Sequence, residues 1–331
     1  MRRFVLVVAA GLVLAACGSG GSEGPVETTE APTSSTEARL PPAWAIQVVE
    51  QGRATIQTVD ADGGSPFSPA TTVEGGDQTN PDWSPDGTRI AFGMNDGSRD
   101  DLWITDFDGT GQRKIFDCED ACDYIDDPAW SPDGGSVAVC ILTADGDEHL
   151  GALVSIDVAT GETTTLFAPD RKETFCAGPR WSPDGRRIVL ELVDREDTSL
   201  DSEVTGVTLT VLDLSAEPVT TLPLTDPALF ASTADWNRDG DLIVYSALPD
   251  PGSEAPDLYT IGLDGSGLQR RTVLSDDQGS ATEPSFDPDG ATVVFVSGGV
   301  LSRLDLETDE VTSAFDVLTR GNHPRARPSA A

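Results

Sequence analysis

From about residue 41 onward, apolar and β-branched residues come in short bursts bounded by turn formers. One set of bursts, Arg89–Phe92, Ser136–Val139, Arg187–Leu190, Asp241–Tyr245 and Thr292–Phe295, has the composition and length of strands. A second set, Leu102–Asp106, Leu153–Asp157, Leu209–Asp213, Leu258–Gly262 and Leu301–Asp305, alternates with period two and runs each time into another turn. A third set follows that turn at Arg113–Phe116, Thr163–Phe167 and Val219–Leu222.

A repeated corner phases these bursts. Ser-Pro-Asp-Gly follows Trp83, Trp130 and Trp181, Asn-Arg-Asp-Gly follows Trp236, and Asp-Pro-Asp-Gly follows Phe286. Asp86, Asp133, Asp184, Asp239 and Asp289 therefore hold equivalent places, as do Gly87, Gly134, Gly185, Gly240 and Gly290. Pro presets φ, Asp bonds its own backbone and Gly accepts positive φ, so each copy predicts a hairpin corner. A unit of roughly fifty residues with four short strands predicts a β-propeller blade. The fixed place of the aromatics predicts that they pack blade against blade rather than stack on sugars.

Upstream of Trp83, the runs Ala45–Val49, Ala54–Val59 and Thr71–Val73 match the later three strands but lack the aromatic corner. Counting this partial unit gives six blades. Open sheet edges invite unwanted pairing, so the segment after Phe315 is expected to supply the missing strand. The predicted architecture is all-β: one six-bladed propeller of four-stranded blades over 41–320, followed by a disordered tail at 321–331.

These repeats resemble those of the TolB-type propellers, the WD40-like or PD40 group, over most of residues 41–315. The resemblance implies the fold and says much less about function, since propellers host many unrelated activities.

At the start of the chain, Met1-Arg2-Arg3 precedes thirteen apolar residues from Phe4 to Ala16, a charged n-region and an h-region too short to span a bilayer. Leu14-Ala-Ala-Cys17 resembles the lipobox of bacterial lipoproteins. That resemblance implies removal of the signal peptide 1–16 and lipidation of Cys17, with palmitate-type chains holding the protein to the extracytoplasmic face of a cell membrane. Residues 17–40 are rich in Gly, Ser, Thr, Glu and Pro, which predicts a flexible acidic tether.

The formal net charge of −36 excludes nucleic acid and anionic lipid surfaces as natural partners. Four cysteines remain besides Cys17, in a compartment where disulfides persist. The repeat places Cys118 and Cys122 in one inter-strand loop, so pairing of Cys118 with Cys122 and of Cys140 with Cys176 is expected. The alternative, a zinc site, lacks a second nearby pair or a suitably spaced histidine. Oxygen ligands for calcium cluster at Asp60/Asp62, Asp106/Asp108 and Asp145/Asp147/Glu148, where Asp-Gly turn chemistry is the simpler account. No metal or cofactor is assigned.

No Gly-x-Ser-x-Gly occurs after residue 40, and His149 and His323, both read as solvated, offer no general base. No catalytic residue is assigned and the chain is expected not to be an enzyme. Propellers bind through loops at the ends of the ring, here 117–127, 191–205 and 248–257. The sequence therefore predicts a monomeric envelope scaffold that recognises a protein or peptide, with carbohydrate binding or processing as the alternative.

Overall fold

The computed structural model describes residues 43–328 apart from 62–75, 98–99, 119–121, 123, 146–147, 200–201, 275–278 and 316–320. The signal peptide, Cys17 and the tether lie outside the described residues. The chain opens with β1 (Trp44–Glu50) and β2 (Arg53–Val59). Five four-stranded antiparallel sheets follow. The first holds β3 (Asp77–Trp83), β4 (Arg89–Asn95), β5 (Asp100–Asp106) and β6 (Arg113–Phe116). The second holds β7 (Tyr124–Trp130), β8 (Ser136–Asp145), β9 (Glu148–Asp157) and β10 (Thr163–Phe167). The third holds β11 (Thr174–Trp181), β12 (Arg187–Arg195), β13 (Val204–Asp213) and β14 (Thr220–Pro223). The fourth is β15 (Ser232–Trp236), β16 (Leu242–Ala247), β17 (Asp257–Gly262) and β18 (Gln269–Arg270). The fifth is β19 (Thr282–Phe286), β20 (Thr292–Ser297), β21 (Val300–Asp305) and β22 (Val311–Ser313).

The sixth blade joins both ends of the chain. β23 (Asn322–Ala326) pairs antiparallel with β1, Trp44 facing Ala326 and Ala45 facing Arg325, and β1 pairs with β2. Thr71–Val73, read as the outer strand of this blade, lies outside the described residues. The first strands β3, β7, β11, β15, β19 and β23 touch their neighbours in a closed circle, which makes them the channel wall of a six-bladed propeller. The segment read as a disordered tail from residue 321 is thus corrected: its first residues supply the closing strand, because β1 would otherwise leave a row of backbone groups unpaired.

The corner chemistry accounts for the phasing. Ser84, Ser131 and Ser182 donate through Oγ to the carboxylates of Asp86, Asp133 and Asp184 at 2.6 Å each. The same oxygens accept the N–H groups of Arg89, Ser136 and Arg187, which lock the start of the next strand. In the fourth blade Asn237 Oδ1 takes over, accepting from Asp241 and Leu242. Gly134 sits at φ +72°, and a side chain there would meet Pro85 of the preceding blade at 3.4 Å.

Between blades the core is continuous. Trp83, Trp130, Trp236 and Phe286 are buried, and Trp181 is half-buried. Leu102 and Ile104 of the first blade pack with Ile125, Trp130, Val137 and Val154 of the second. Two disulfides add covalent ties with the expected pairing: Cys118–Cys122 closes the link from β6 to β7, and Cys140–Cys176 joins β8 to β11 across a blade boundary.

Candidate functional site

The six first strands share a spacing that places their side chains. Three residues before the aromatic position stand Asn80, Asp127, Gly178, Thr233, Glu283 and, in the closing strand, His323. A register break interrupts the pairing of each first strand at this level. Five of the six residues adopt left-handed φ: Asn80 53°, Gly178 54°, Thr233 53°, Glu283 54° and His323 47°. Such a bulge withdraws the residue's N–H from the ladder and aims the chain toward the channel.

A side chain from the preceding blade receives the N–H of each of the five left-handed residues. Asn80 N–H donates to Gln47 Oε1 at 3.0 Å, Gly178 N–H to Asp126 Oδ2 at 2.8 Å and Thr233 N–H to Glu191 Oε1 at 2.7 Å. Glu283 N–H donates to Thr233 Oγ1 at 3.2 Å, and His323 N–H to Glu283 Oε2 at 2.5 Å. The left-handed backbone costs non-glycine residues about 1–2 kcal/mol each, and these inter-blade bonds offset it.

These residues surround a cavity of about 730 Å³ at one mouth of the channel. Asp100, Asp126, Asp127 and Glu191 line it, and Glu283 stands beside its wall at 3.7 Å from His323 Nε2. Burial pushes the Glu191 carboxyl up to about 8, with the Asp126 and Asp127 charges adding to the effect. Burial likewise raises Asp126 to about 6 and lifts Asp100. The Asp126 charge, with burial next, raises the Tyr124 phenol, whose hydroxyl donates to Asp126 Oδ1. The mouth therefore concentrates carboxyl groups, of which Glu191, Asp126 and Asp100 are shifted by burial toward their protonated forms.

A second cavity, about 530 Å³, opens at the other end of the same strands among the tryptophan corners. One residue before the aromatic position, the blades supply Asp82, Ala129, Arg180, Asp235, Ser285 and Arg325 in turn.

The sequence-stated loops reach the first cavity in part. Asp117–Asp127 ends inside β7, where Tyr124, Asp126 and Asp127 line the mouth. Glu191, read as the opening of a variable loop, is instead a mid-strand residue of β12 paired with Leu209. The loop 248–257 lies between β16 and β17 and supplies no residue to either cavity. Both histidines correct the reading of solvated side chains: His149 Nδ1 lies 3.2 Å from Thr198 O, and His323 is a half-buried member of the channel wall. Among the described residues no group of three or more His, Cys, Asp or Glu side chains could hold a metal ion. At Asp106/Asp108 the carboxylates accept from Thr110, as a turn requires, while Asp62 and Asp147 lie outside the described residues.

No family model matches the chain. A relative from Bacillus subtilis (strain 168), named as the uncharacterized peptidase YuxL, is 26% identical over 245 residues, covering 72% of this chain and 31% of the relative. The chain thus spans about a third of that relative's length. Among solved structures, TolB from Acinetobacter baumannii superposes with a TM-score of 0.66 at 18% identity, covering 87% of this chain and 67% of that one. A puromycin-hydrolyzing peptidase from Mycobacterium tuberculosis superposes with a TM-score of 0.53 at 15% identity, covering 84% of this chain and 46% of that one. The expectation that the chain is not an enzyme is overturned by this pair of findings, since a sequence relative is named as a peptidase and a solved peptidase shares the fold. The architecture itself is a TolB-like six-bladed propeller.

Proposed function

We propose that the chain is an envelope lipoprotein, anchored through Cys17 on the extracytoplasmic face of a cell membrane, whose channel mouth receives a basic segment of a partner protein. The observation that carries this reading is the ring of carboxyl groups at the first cavity, Asp100, Asp126, Asp127 and Glu191, with Glu283 beside it. A lysine or arginine side chain entering there is attracted to these carboxyls, and its charge favours the ionised forms of Glu191, Asp126 and Asp100, which burial disfavours. The propeller's overall charge steers such a partner from a distance. The TolB-like fold supports an interaction scaffold, and the lipobox-like Leu14–Cys17 supports the anchor.

The test is crosslinking in cells, followed by capture and mass spectrometry, comparing the full chain with Cys17→Ser and with Glu191→Gln/Asp126→Asn. A partner that is lost from the second variant and present with reduced membrane recovery in the first supports the reading. Equal capture by the carboxyl variant overturns it.

A second reading draws on the peptidase-named relative: peptide held at the mouth is hydrolysed, by this chain or by a protein it serves. Release of amine from a panel of fluorogenic peptides by the purified full chain supports hydrolysis by the chain itself.

A further inference from the structure

The residues that precede the aromatic positions repeat their charge after three blades, Asp82 with Asp235 and Arg180 with Arg325. The two carboxylates are matched within the wall. Trp130 N–H donates to Asp82 Oδ2 and Phe286 N–H to Asp235 Oδ2, each at 2.8 Å from the following blade. The two guanidinium groups, on blades opposite one another, are matched poorly.

Arg325 is 6% exposed. Its Nη1 donates to Pro324 O at 3.1 Å, and among the described residues its Nε finds no acceptor and no carboxylate pairs with it. Arg180, also 6% exposed, donates to the carbonyls of Pro179 and Pro128 and pairs loosely with Asp127 at 3.4 Å, while its Nε again has no acceptor among the described residues. Trp130 and Trp181 line the same cavity, and their Nε1 donors lack acceptors there as well. By contrast, the indoles of Trp83 and Trp236 donate to Arg325 O and Arg180 O. Four donors without acceptors therefore border one cavity, two of them on buried cations. An open buried donor lowers stability, and a buried cation without a close carboxylate, as at Arg325, lowers it further.

We propose that this cavity binds a carboxylate-bearing ligand seated between Arg180 and Arg325. The planar guanidinium fork matches a carboxylate in shape. Asp82 and Asp235, on the intervening walls, disfavour a dianion such as phosphate. The surrounding indoles offer apolar faces to whatever carries the carboxylate, and about 530 Å³ accommodates a chain terminus or a small organic acid. The charged groups facing the space are Asp82, Arg180, Asp235, Arg238, Asp287 and Arg325. Burial lifts the carboxyls of Asp82 and Asp235 to about 6 and raises that of Asp287. A bound carboxylate favours their protonated forms, so it binds more tightly at pH 5.5 than at pH 7.5. The site stands apart from the acidic mouth and holds or fails independently of it.

The experiment is a tryptophan-fluorescence titration of the full chain with tetraalanine, tetraalanine amide, acetate and inorganic phosphate, on wild type, Arg325→Met and Arg325→Lys. Saturable change with tetraalanine and not its amide, weakened by roughly tenfold or more in Arg325→Met, supports the site and names a peptide C-terminus. Equal response to acetate supports it and names free organic acids. Because no carboxylate among the described residues pairs with Arg325, Arg325→Met is expected to melt at or above the wild-type temperature; if it unfolds, Arg325→Lys carries the comparison. No saturation with either carboxylate, affinity unchanged in both variants, or phosphate binding more tightly than acetate overturns the proposal.

Discussion

Glu191 Oε1 accepts the N–H of Thr233 from the neighbouring blade at 2.7 Å, so the carboxyl of the channel mouth whose pKa is raised to about 8 is also a fastener between blades. Its folded value of about 8 stands above the ordinary 4.5, and those of Asp82, Asp126 and Asp235, about 6, stand above 3.8. The folded state therefore keeps protons that the unfolded chain has already released. Stability from these four groups is complete below the unfolded values and is lost as pH rises through about 6 and then about 8. The melting temperature is expected to fall between about pH 5 and pH 8.5, and Glu191→Gln to flatten the upper part of that fall. An identical slope in wild type and variant would show that Glu191 does not titrate there.

The same bond separates two substitutions. Glu191→Gln retains an acceptor for Thr233, whereas Glu191→Ala leaves a left-handed residue with a stranded N–H. Urea unfolding should find the alanine variant less stable than the glutamine variant by about 1–3 kcal/mol.

Cys140–Cys176 closes a span of 36 residues across a blade boundary, and Cys118–Cys122 a span of 4. Chain entropy makes the longer closure the more stabilising, at about 3–4 kcal/mol. Cys140→Ala/Cys176→Ala should therefore lower the melting temperature more than Cys118→Ala/Cys122→Ala, as scanning calorimetry under oxidising conditions would show.

Ending the chain after Phe315 removes β23 and exposes the inner edge of β1, including the main chain opposite Trp44 and Ala45. The shortened protein is expected to aggregate or to be cut rapidly within residues 44–59 by a protease that spares the full chain. Resistance equal to that of the full chain would mean the seam closes without β23.

The corners made most of the fold legible, because Trp, Pro, Asp and Gly each perform a backbone task that composition reveals. A closing strand was expected after Phe315, but its exact place was not legible, because Ala326 stands where other blades carry an aromatic and Arg327 where three carry serine. A subtler signal was present: Pro81/Pro85, Pro128/Pro132, Pro179/Pro183 and Pro284/Pro288 share a spacing that Pro324/Pro328 repeats. The site was harder to read. Glu191 looked like a loop residue because its strand runs on to Arg195 past the apolar burst, through half-buried positions of mixed character. Arg180 and Asp235 sit beside tryptophans whose burial drew the interpretation, yet period-two alternation turns those neighbours toward the channel.

Arg327 N–H donates to Ala43 O at 2.7 Å, which brings the two ends of the described propeller side by side. The six blades form in effect a circle whose seam lies within one blade. Joining residues 43 and 328 through a short linker and reopening the chain at an exposed corner, such as between Asp250 and Pro251, would yield a circular permutant with the same ring. In that molecule the blade sealed by two chain ends would become an ordinary hairpin blade, and the cut would pass to another.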